Sequence, residues 1–112
     1  MMSHENLDVY RTSIKFLSLS RKVIKNIPRG NADIVDQLKR ASRSIPLNIA
    51  EGVGKSTQTH QARYFTDARG SALECAACLD VLQEERLVEE ASYSTGKDLL
   101  SRIVSMLTKM VR

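Results

Sequence analysis

Four basic residues near the start of the chain have the spacing of one helix face, and they are Arg11, Lys15, Lys22 and Lys25. Steps of four, seven and three residues return a side chain to the same side of an α-helix. Asp8 is the one acidic residue close to this row, whereas a solvated helix face usually mixes charges of both signs. The row is therefore a candidate surface for the phosphates of a nucleic acid, and ordinary solvated surface is the alternative.

The distribution of charge along the chain also favours an acidic partner. The 112 residues carry a formal net charge of +4. Residues 1–63 contain eleven Lys and Arg against five Asp and Glu, hence +6, and residues 64–112 contain six against eight, hence −2. Lys39 and Arg43 add two cations on the polar side of the second predicted helix, so nucleic acid, either RNA or DNA, is the first candidate partner. A positive excess of this size also occurs in small proteins for solubility alone.

Two short motifs resemble functional sites, but the residues around them do not fit those sites. The segment Gly-Lys-Ser-Thr resembles the end of a phosphate-binding P-loop, but that motif needs a glycine where Ile49 stands and a strand before it. A helix break in which Ser56 or Thr57 caps the third helix is the better interpretation. Cys75 and Cys78 have redox spacing but fall in mid-helix, so we interpret them as packing residues. Without a catalytic triad, paired carboxylates or a metal-ligand cluster, we expect no enzymatic activity, cofactor or metal.

The apolar pattern divides the chain into four helices with short connections. Three are predicted at about residues 6–26, 31–54 and 56–86, and the fourth follows the segment 92–95 and runs to the end. This arrangement favours a single all-α domain over residues 1–112, an antiparallel up-down four-helix bundle. Pro46 removes a backbone hydrogen bond inside the second helix, so a kink is predicted near it. The sequence contains neither a membrane span nor a signal peptide, so a cytoplasmic location is expected.

The first helix carries apolar residues on two faces. The longer row is predicted to enter the core, and it consists of Leu7, Tyr10, Ile14, Leu17 and Ile24. The second row repeats every seven residues, and it consists of Val9, Phe16 and Val23. In an isolated bundle this second row would be exposed to water, so it is predicted to lie in a homo-oligomer interface together with Leu47 of the second helix. Scattered exposed apolar residues, normal on any surface, are the alternative.

Polar residues of the second and third helices are interpreted as links between those helices. They are Arg40, Asn48, Glu51, Arg69, Ser71 and Glu74. Buried polar groups must be paired, and paired networks fix the register between helices. The same residues could instead line a ligand site, and a pair between Asp36 and Arg40 on one helix face is a further expectation.

Two motifs in these helices resemble a known bacterial family. They read Arg40-Ala41-x-x-Ser44-Ile45-Pro46-x-Asn48-Ile49-Ala50-Glu51-Gly52-x-Gly54-Lys55 and Ala68-Arg69-Gly70-Ser71-x-x-Glu74. Both resemble the four-helix-bundle proteins encoded in intervening sequences of 23S rRNA genes, a family that also includes accessory proteins of diversity-generating retroelements. The resemblance implies the four-helix bundle, a closed homopentamer and no established enzymatic activity.

The charge pattern and the resemblance together give two hypotheses for function. The first is a non-enzymatic oligomer that binds RNA or DNA through basic helix faces without reading the bases. The second is a scaffold or adaptor that docks a protein partner, such as the reverse transcriptase that accompanies the retroelement-associated relatives.

Overall fold

The computed structural model describes residues 2–112, apart from the side chain of Asn6, and its regular structure in this part of the chain is entirely helical. A 3-10 helix, Ser3–Asn6, precedes four α-helices. These are α1 (Asp8–Lys25), α2 (Ala32–Val53), α3 (Gln58–Glu84) and α4 (Glu90–Val111). The four-helix prediction is confirmed. No helix in the described residues is both long enough and apolar enough to cross a bilayer.

The boundary of one helix differs from the prediction. Helix α4 begins at Glu90, so residues 92–95 lie inside it and do not precede it. Glu89 has extended backbone angles at the N-cap position, and the carboxylate of Glu90 lies in the first turn, where it complements the partial positive charge of the helix N-terminus. The serines and threonine that suggested a connection are helical residues.

Each helix packs against two of the other three, so the bundle closes as a ring in the order α1, α2, α3, α4. Gly52 of α2 lies against Phe65 of α3, and the hydroxyl of Ser71 reaches Ser44 further back along α2, so α2 and α3 run in opposite directions. The ends of α3 and α4 also meet in reverse order, because the Gln58 amide donates to the Arg112 carbonyl at 3.4 Å. The bundle measures 44 × 26 × 23 Å.

The face of α1 that packs into the core is the one for which an oligomer interface was predicted. Val9, Phe16 and Val23 are only 3%, 0% and 5% exposed within a single chain. The expectation that this row is exposed in a single subunit is wrong, and the row no longer supports a contact between subunits. The longer row, which was predicted to enter the core, lies at its edge, half-buried except for Ile14, which is 40% exposed.

Small hydroxyl residues explain why the inward face of α1 was misassigned. Thr12, Ser13 and Ser20 are buried beside the apolar row. Their hydroxyls donate to carbonyls of α1 itself at 2.6–2.8 Å, which satisfies them without a partner on another helix. A face that contains three such residues looks polar in the sequence and still packs into the core.

The proline of α2 lies within a continuous helix. Pro46 is buried, and α2 extends on both sides of it without a break in helical structure. The prediction of a bend around residues 42–46 concerns the direction of the helix axis and stays a prediction. The connection after α2 matches the capping interpretation, because the Thr57 side chain accepts a hydrogen bond from the His60 backbone N–H at 3.2 Å.

Candidate nucleic-acid interface

A groove between α1 and α2 gathers basic side chains from both helices. Its volume is about 520 Å³, and it is lined by Ser18, Arg21, Lys22, Ile24, Lys25 and Lys39. Four of these six residues are cationic and none is acidic. Such a surface attracts anions, because the four charges repel one another and no carboxylate on the groove wall offsets them.

A second concave surface continues from this groove along α2. It is lined by Asp36, Lys39, Arg40, Arg43, Ser44, Leu47 and Asn48. Lys39 belongs to both linings, so the two surfaces are continuous. We refer to their six cations as the basic strip, which consists of Arg21, Lys22, Lys25, Lys39, Arg40 and Arg43.

Helical spacing and the short turn after α1 bring the basic strip together. Arg21, Lys22 and Lys25 lie within the last two turns of α1, and the connection of residues 26–31 returns the chain so that α2 packs beside α1. Gly30 in this connection has φ +98°, a conformation that residues with a Cβ rarely adopt. Lys39 then faces the end of α1 across the groove.

The charges of the basic strip are available to a ligand. Five of its side chains are exposed and Lys39 is half-buried. The ion pairs found in the described residues are Arg11 with Asp8, Lys55 with Glu51, and Lys97 with Asp80, so none involves the strip. The predicted pair between Asp36 and Arg40 does not form, although both side chains line the same surface.

The structure places the predicted basic residues in two groups. Lys22, Lys25, Lys39 and Arg43 lie in the basic strip, whereas Arg11 and Lys15 do not. The guanidinium of Arg11 is held by the Asp8 carboxylate at 2.8 Å and by a backbone carbonyl at 3.3 Å. Lys15 is exposed on α1 outside the groove lining. Arg11 is therefore partly neutralised, and Lys15 belongs to a separate part of the α1 surface.

Sequence reasoning missed Arg21, which lines the groove beside Lys22. A signal for it exists, because Arg21 lies three residues after Ser18 and four before Lys25, the spacing of one helix face. Arg40 was assigned to internal pairing and is instead exposed on the basic strip. The reason is that the polar side of α2, on which Arg40 lies, faces solvent rather than α3.

The predicted polar links between α2 and α3 form in part, around a serine that was not among them. Ser44 Oγ accepts hydrogen bonds from the Ser71 hydroxyl at 2.8 Å and from the Asn48 amide at 2.9 Å. Asn48 also donates to the Ser44 carbonyl at 2.9 Å. These half-buried groups join the two helices at one position along the bundle, which is a structural role.

The other residues of the predicted network are placed differently. Arg69 donates from Nε to Thr108 Oγ1 at 2.9 Å, so it links α3 to α4 and not to α2. Glu51 is exposed and pairs with Lys55 at 3.4 Å, which excludes it from a buried network. Glu74 is half-buried, and in the described part of the chain it accepts no side-chain hydrogen bond, although its charge raises the pKa of Cys75 and Cys78.

The two cysteines lie in the core and are unsuited to nucleophilic or redox chemistry. Both are unpaired and buried. Burial is the main cause that raises the pKa of the Cys75 thiol well above its usual range, and it also raises the pKa of Cys78. A thiol with a raised pKa carries little thiolate at neutral pH, and the thiolate is the reactive form. No group of three metal-ligating side chains is found in the described residues.

Comparison with known proteins agrees with the bundle and with the family resemblance. The model of a family described as 23S rRNA-intervening sequence protein matches residues 5–109. A crystal structure of a protein with unknown function from the S23 ribosomal protein family of Bacteroides thetaiotaomicron VPI-5482 superposes with a TM-score of 0.85. It is 18% identical over 93% of this chain and 98% of that chain, and likeness at this identity shows the fold alone. No functionally curated protein matches the chain.

Proposed function

Because the chain belongs to the 23S rRNA-intervening sequence protein family, we propose a function that its bundle can perform without a catalytic centre: binding of nucleic acid through the basic strip. The observation that carries this proposal is the groove between α1 and α2, in which four cations meet and no acid lines the wall. The strip offers mainly positive charge on long side chains at the surface, which suits contacts to phosphates, so binding is proposed to be independent of base sequence.

The physical basis of this binding is the release of counterions. Each phosphate that a Lys or Arg neutralises frees part of the cation atmosphere of the nucleic acid, so affinity falls steeply as salt rises. The positive potential of the basic strip also attracts a phosphate backbone over a distance of about a Debye length. A single contact of this kind is weak, and the strip supplies six.

We further propose that the protein works as a homo-oligomer, with the pentamer implied by the family resemblance as the expected state. Several copies of the basic strip on one particle would bind one nucleic acid with avidity. Since Val9, Phe16 and Val23 are in the core, the remaining candidate of the predicted interface is Leu47, which is 65% exposed. Light scattering on the purified protein measures the state, and a monomer at micromolar concentration would contradict this part of the proposal.

Charge reversal within the basic strip tests the proposed binding. Replacing Lys22 and Lys39 with glutamate places two acids on opposite walls of the groove, and we expect retardation of mixed-sequence RNA or DNA in a gel to be lost at moderate salt. The matched control is Arg102→Glu together with Lys109→Glu, which changes the net charge equally at exposed positions of α4. The control should bind as wild type does. Equal loss in both variants, or none in either, would contradict a role for the strip.

A second candidate function is that of an adaptor for a protein partner such as a reverse transcriptase. It is favoured by an open groove of about 630 Å³ between the N-terminal segment and the end of α2, in which Met2 and Leu47 are both largely exposed. Exposed apolar residues of this size in a groove are typical of protein interfaces. If wild-type protein retards no nucleic acid at low salt, the adaptor becomes the better hypothesis.

A further inference from the structure

We infer that the ligand of the basic strip is a double-stranded nucleic acid, contacted on the backbones of both strands, rather than a single strand. This inference rests on the proposed function and specifies its ligand. It depends on the arrangement of the cations in two rows and on the position of every aromatic side chain of the protein.

The first observation is the two-row layout of the basic strip. Arg21, Lys22 and Lys25 form a row on α1, and Lys39, Arg40 and Arg43 form a row on α2. Each row spans five residues, so its two ends lie about 6 Å apart along the helix. The axes of packed helices lie about 8–10 Å apart, and Lys39 faces the α1 row across the groove. The cations therefore form a patch that extends across two packed helices and is wider than one phosphate backbone.

A duplex matches this patch because it presents two backbones on either side of a groove. In B-form DNA the minor groove is about 6 Å wide and the major groove about 12 Å wide. The usual spacing of packed helix axes, about 8–10 Å, is of the same order as these widths, and the long Lys and Arg side chains adapt their reach, so each row can contact one strand. Double-stranded RNA likewise offers a wide, shallow minor groove bordered by two backbones. A single strand that runs along one row leaves the other row without a phosphate.

The second observation is that, within the part of the chain that the structure describes, no Phe or Tyr ring lines the basic strip. Phe16 and Phe65 are buried in the core. Tyr10 is half-buried against His4, with 4.7 Å between the ring centroids. Tyr64 lies beneath Lys55, and Tyr93 donates its hydroxyl to Asp80 on the α3–α4 side of the bundle. These are all the aromatic residues except histidine in the sequence.

Sites for single strands obtain much of their affinity from stacking of bases on aromatic rings, about 1–3 kcal/mol per base. The basic strip lacks this contribution, so a single strand would be held by one row of charges alone. The bases of a duplex are already stacked on one another, so its affinity does not depend on aromatic side chains. It also has twice the phosphate density of one strand along its axis.

Salt dependence separates the two ligands quantitatively. A duplex that engages all six cations gives a slope of log K against log salt of about −5, because each contact contributes about −0.9. A single strand on one row of three gives about −2, at about −0.7 per contact. Oligomerisation would multiply both slopes equally. The ratio of the duplex slope to the single-strand slope, expected to exceed about two, therefore distinguishes the two ligands.

The test is a fluorescence anisotropy titration of the full-length protein with four probes: duplex RNA, duplex DNA, oligo-uridylate and oligo-thymidylate. All have equal length, about two helical turns of duplex, and salt is varied between about 50 and 200 mM. We expect the duplexes to bind roughly tenfold tighter at the lower salt concentration and with the steeper slope. The two duplexes then show whether the backbone recognised is that of RNA, DNA or both.

One variant tests the two-row layout directly. Lys39→Glu disrupts the α2 row and is expected to reduce the duplex slope from about −5 to about −3, the value for the three contacts of the α1 row, whereas the single-strand slope changes less. Arg102→Glu is the charge-matched control and should leave every slope unchanged. If single strands bind as tightly as duplexes and with equal slopes, the duplex inference is wrong while the basic strip stays a nucleic-acid interface. If none of the probes binds, the proposed function itself is wrong.

Discussion

Replacing Gly52 with alanine tests how closely α2 approaches α3 near the end of the bundle. A Cβ built on Gly52 would lie 2.6 Å from Cε1 and 2.9 Å from Cδ1 of the Phe65 ring. Ordinary carbon–carbon contacts are about 3.5–4.0 Å, so the ring must move by roughly 1 Å. Phe65 is buried and its ring is rigid, so the movement is transmitted to its neighbours in the core.

The magnitude follows from two opposing contributions. Overpacking a well-packed core costs about 1–3 kcal/mol. Alanine gains at most about 1 kcal/mol over glycine in a helix interior, and less at this position because Gly52 is in the last turn of α2. We therefore expect Gly52→Ala to lower the free energy of unfolding by about 1–2 kcal/mol, and the thermal midpoint by roughly 4 °C for each kcal/mol.

Gly70 supplies a matched control for the same substitution. It lies inside α3, and a Cβ built there would have no atom within 4 Å apart from the adjacent residues and the local backbone of α3 itself. Gly70→Ala is therefore expected to stabilise the protein by up to about 1 kcal/mol, with the opposite sign to Gly52→Ala. Both variants are measured by urea and thermal unfolding followed by circular dichroism, at one protein concentration because an oligomer shifts the apparent stability.

A double-mutant cycle identifies the ring as the cause. Phe65→Leu alone removes buried surface and destabilises, but in the Gly52→Ala background it also removes the clash, so the double variant should be more stable than the sum of the single effects by about 1 kcal/mol. The reasoning is refuted if Gly52→Ala is as stable as wild type, or if the two substitutions are strictly additive.

Two further predictions concern the connection between α3 and α4 and the contacts of Asp80 near it. Arg86 has a positive φ of 59°, so Arg86→Gly is expected to raise the free energy of unfolding by about 1 kcal/mol in urea titrations, and an unchanged midpoint would contradict strain at this residue. Hydrogen bonds from Lys97 and Tyr93 lower the pKa of Asp80 in the folded state. The stabilisation is therefore present above the pKa of the unfolded chain, about 3.9, and is lost as pH falls through the lower folded value. Because Asp80 is largely exposed, Asp80→Asn should cost less than about 1 kcal/mol at neutral pH and nothing at about pH 2; a cost that persists in acid would show a different origin.

The sequence predicts the architecture well, because amphipathic periodicity over long helices is a strong signal. All four helices and the cap at Thr57 lie where the pattern indicates them. The start of α4 was misplaced because serine and threonine favour connections as well as helix starts, and the sequence does not show that Glu89 takes the cap position. Such errors concern boundaries and leave the fold unchanged.

The core face of α1 could not be derived from hydropathy. The row with the larger number of apolar residues lies at the edge of the core, while the shorter row shares its face with Thr12, Ser13 and Ser20. Hydroxyls that bond to their own helix can be buried at little cost, and a hydropathy scale counts them as polar. The predicted oligomer interface was wrong for the same reason, because it was assigned to the face of α1 that packs into the core.

Four of the six cations of the basic strip were predicted from the sequence, but Arg21 and Arg40 were not, and neither was the strip as one site. Periodicity identifies the cations of α1, and a separate pair on α2, as surface residues. That Lys39 faces the end of α1 depends on the turn geometry and on how the two helices pack, which no spacing within one helix contains. The sequence therefore indicates the chemistry of the strip, and the fold determines its shape.

Because the basic strip lies on two helices, the proposed binding of a ligand there would be coupled to folding. Helix α1 packs less extensively against α2 than α3 does, so the seam under the strip is one of the weaker contacts of the bundle. A polyanion that contacted both rows would stabilise the packing of α1 against α2, because a ligand that binds the packed state more tightly than the unpacked state favours the packed state. By the same linkage, a substitution that loosens the packing of α1 on α2 would lower the affinity for the ligand even if every cation of the strip were kept. Binding of the ligand would in turn slow amide hydrogen exchange in α1, which offers a way to measure it.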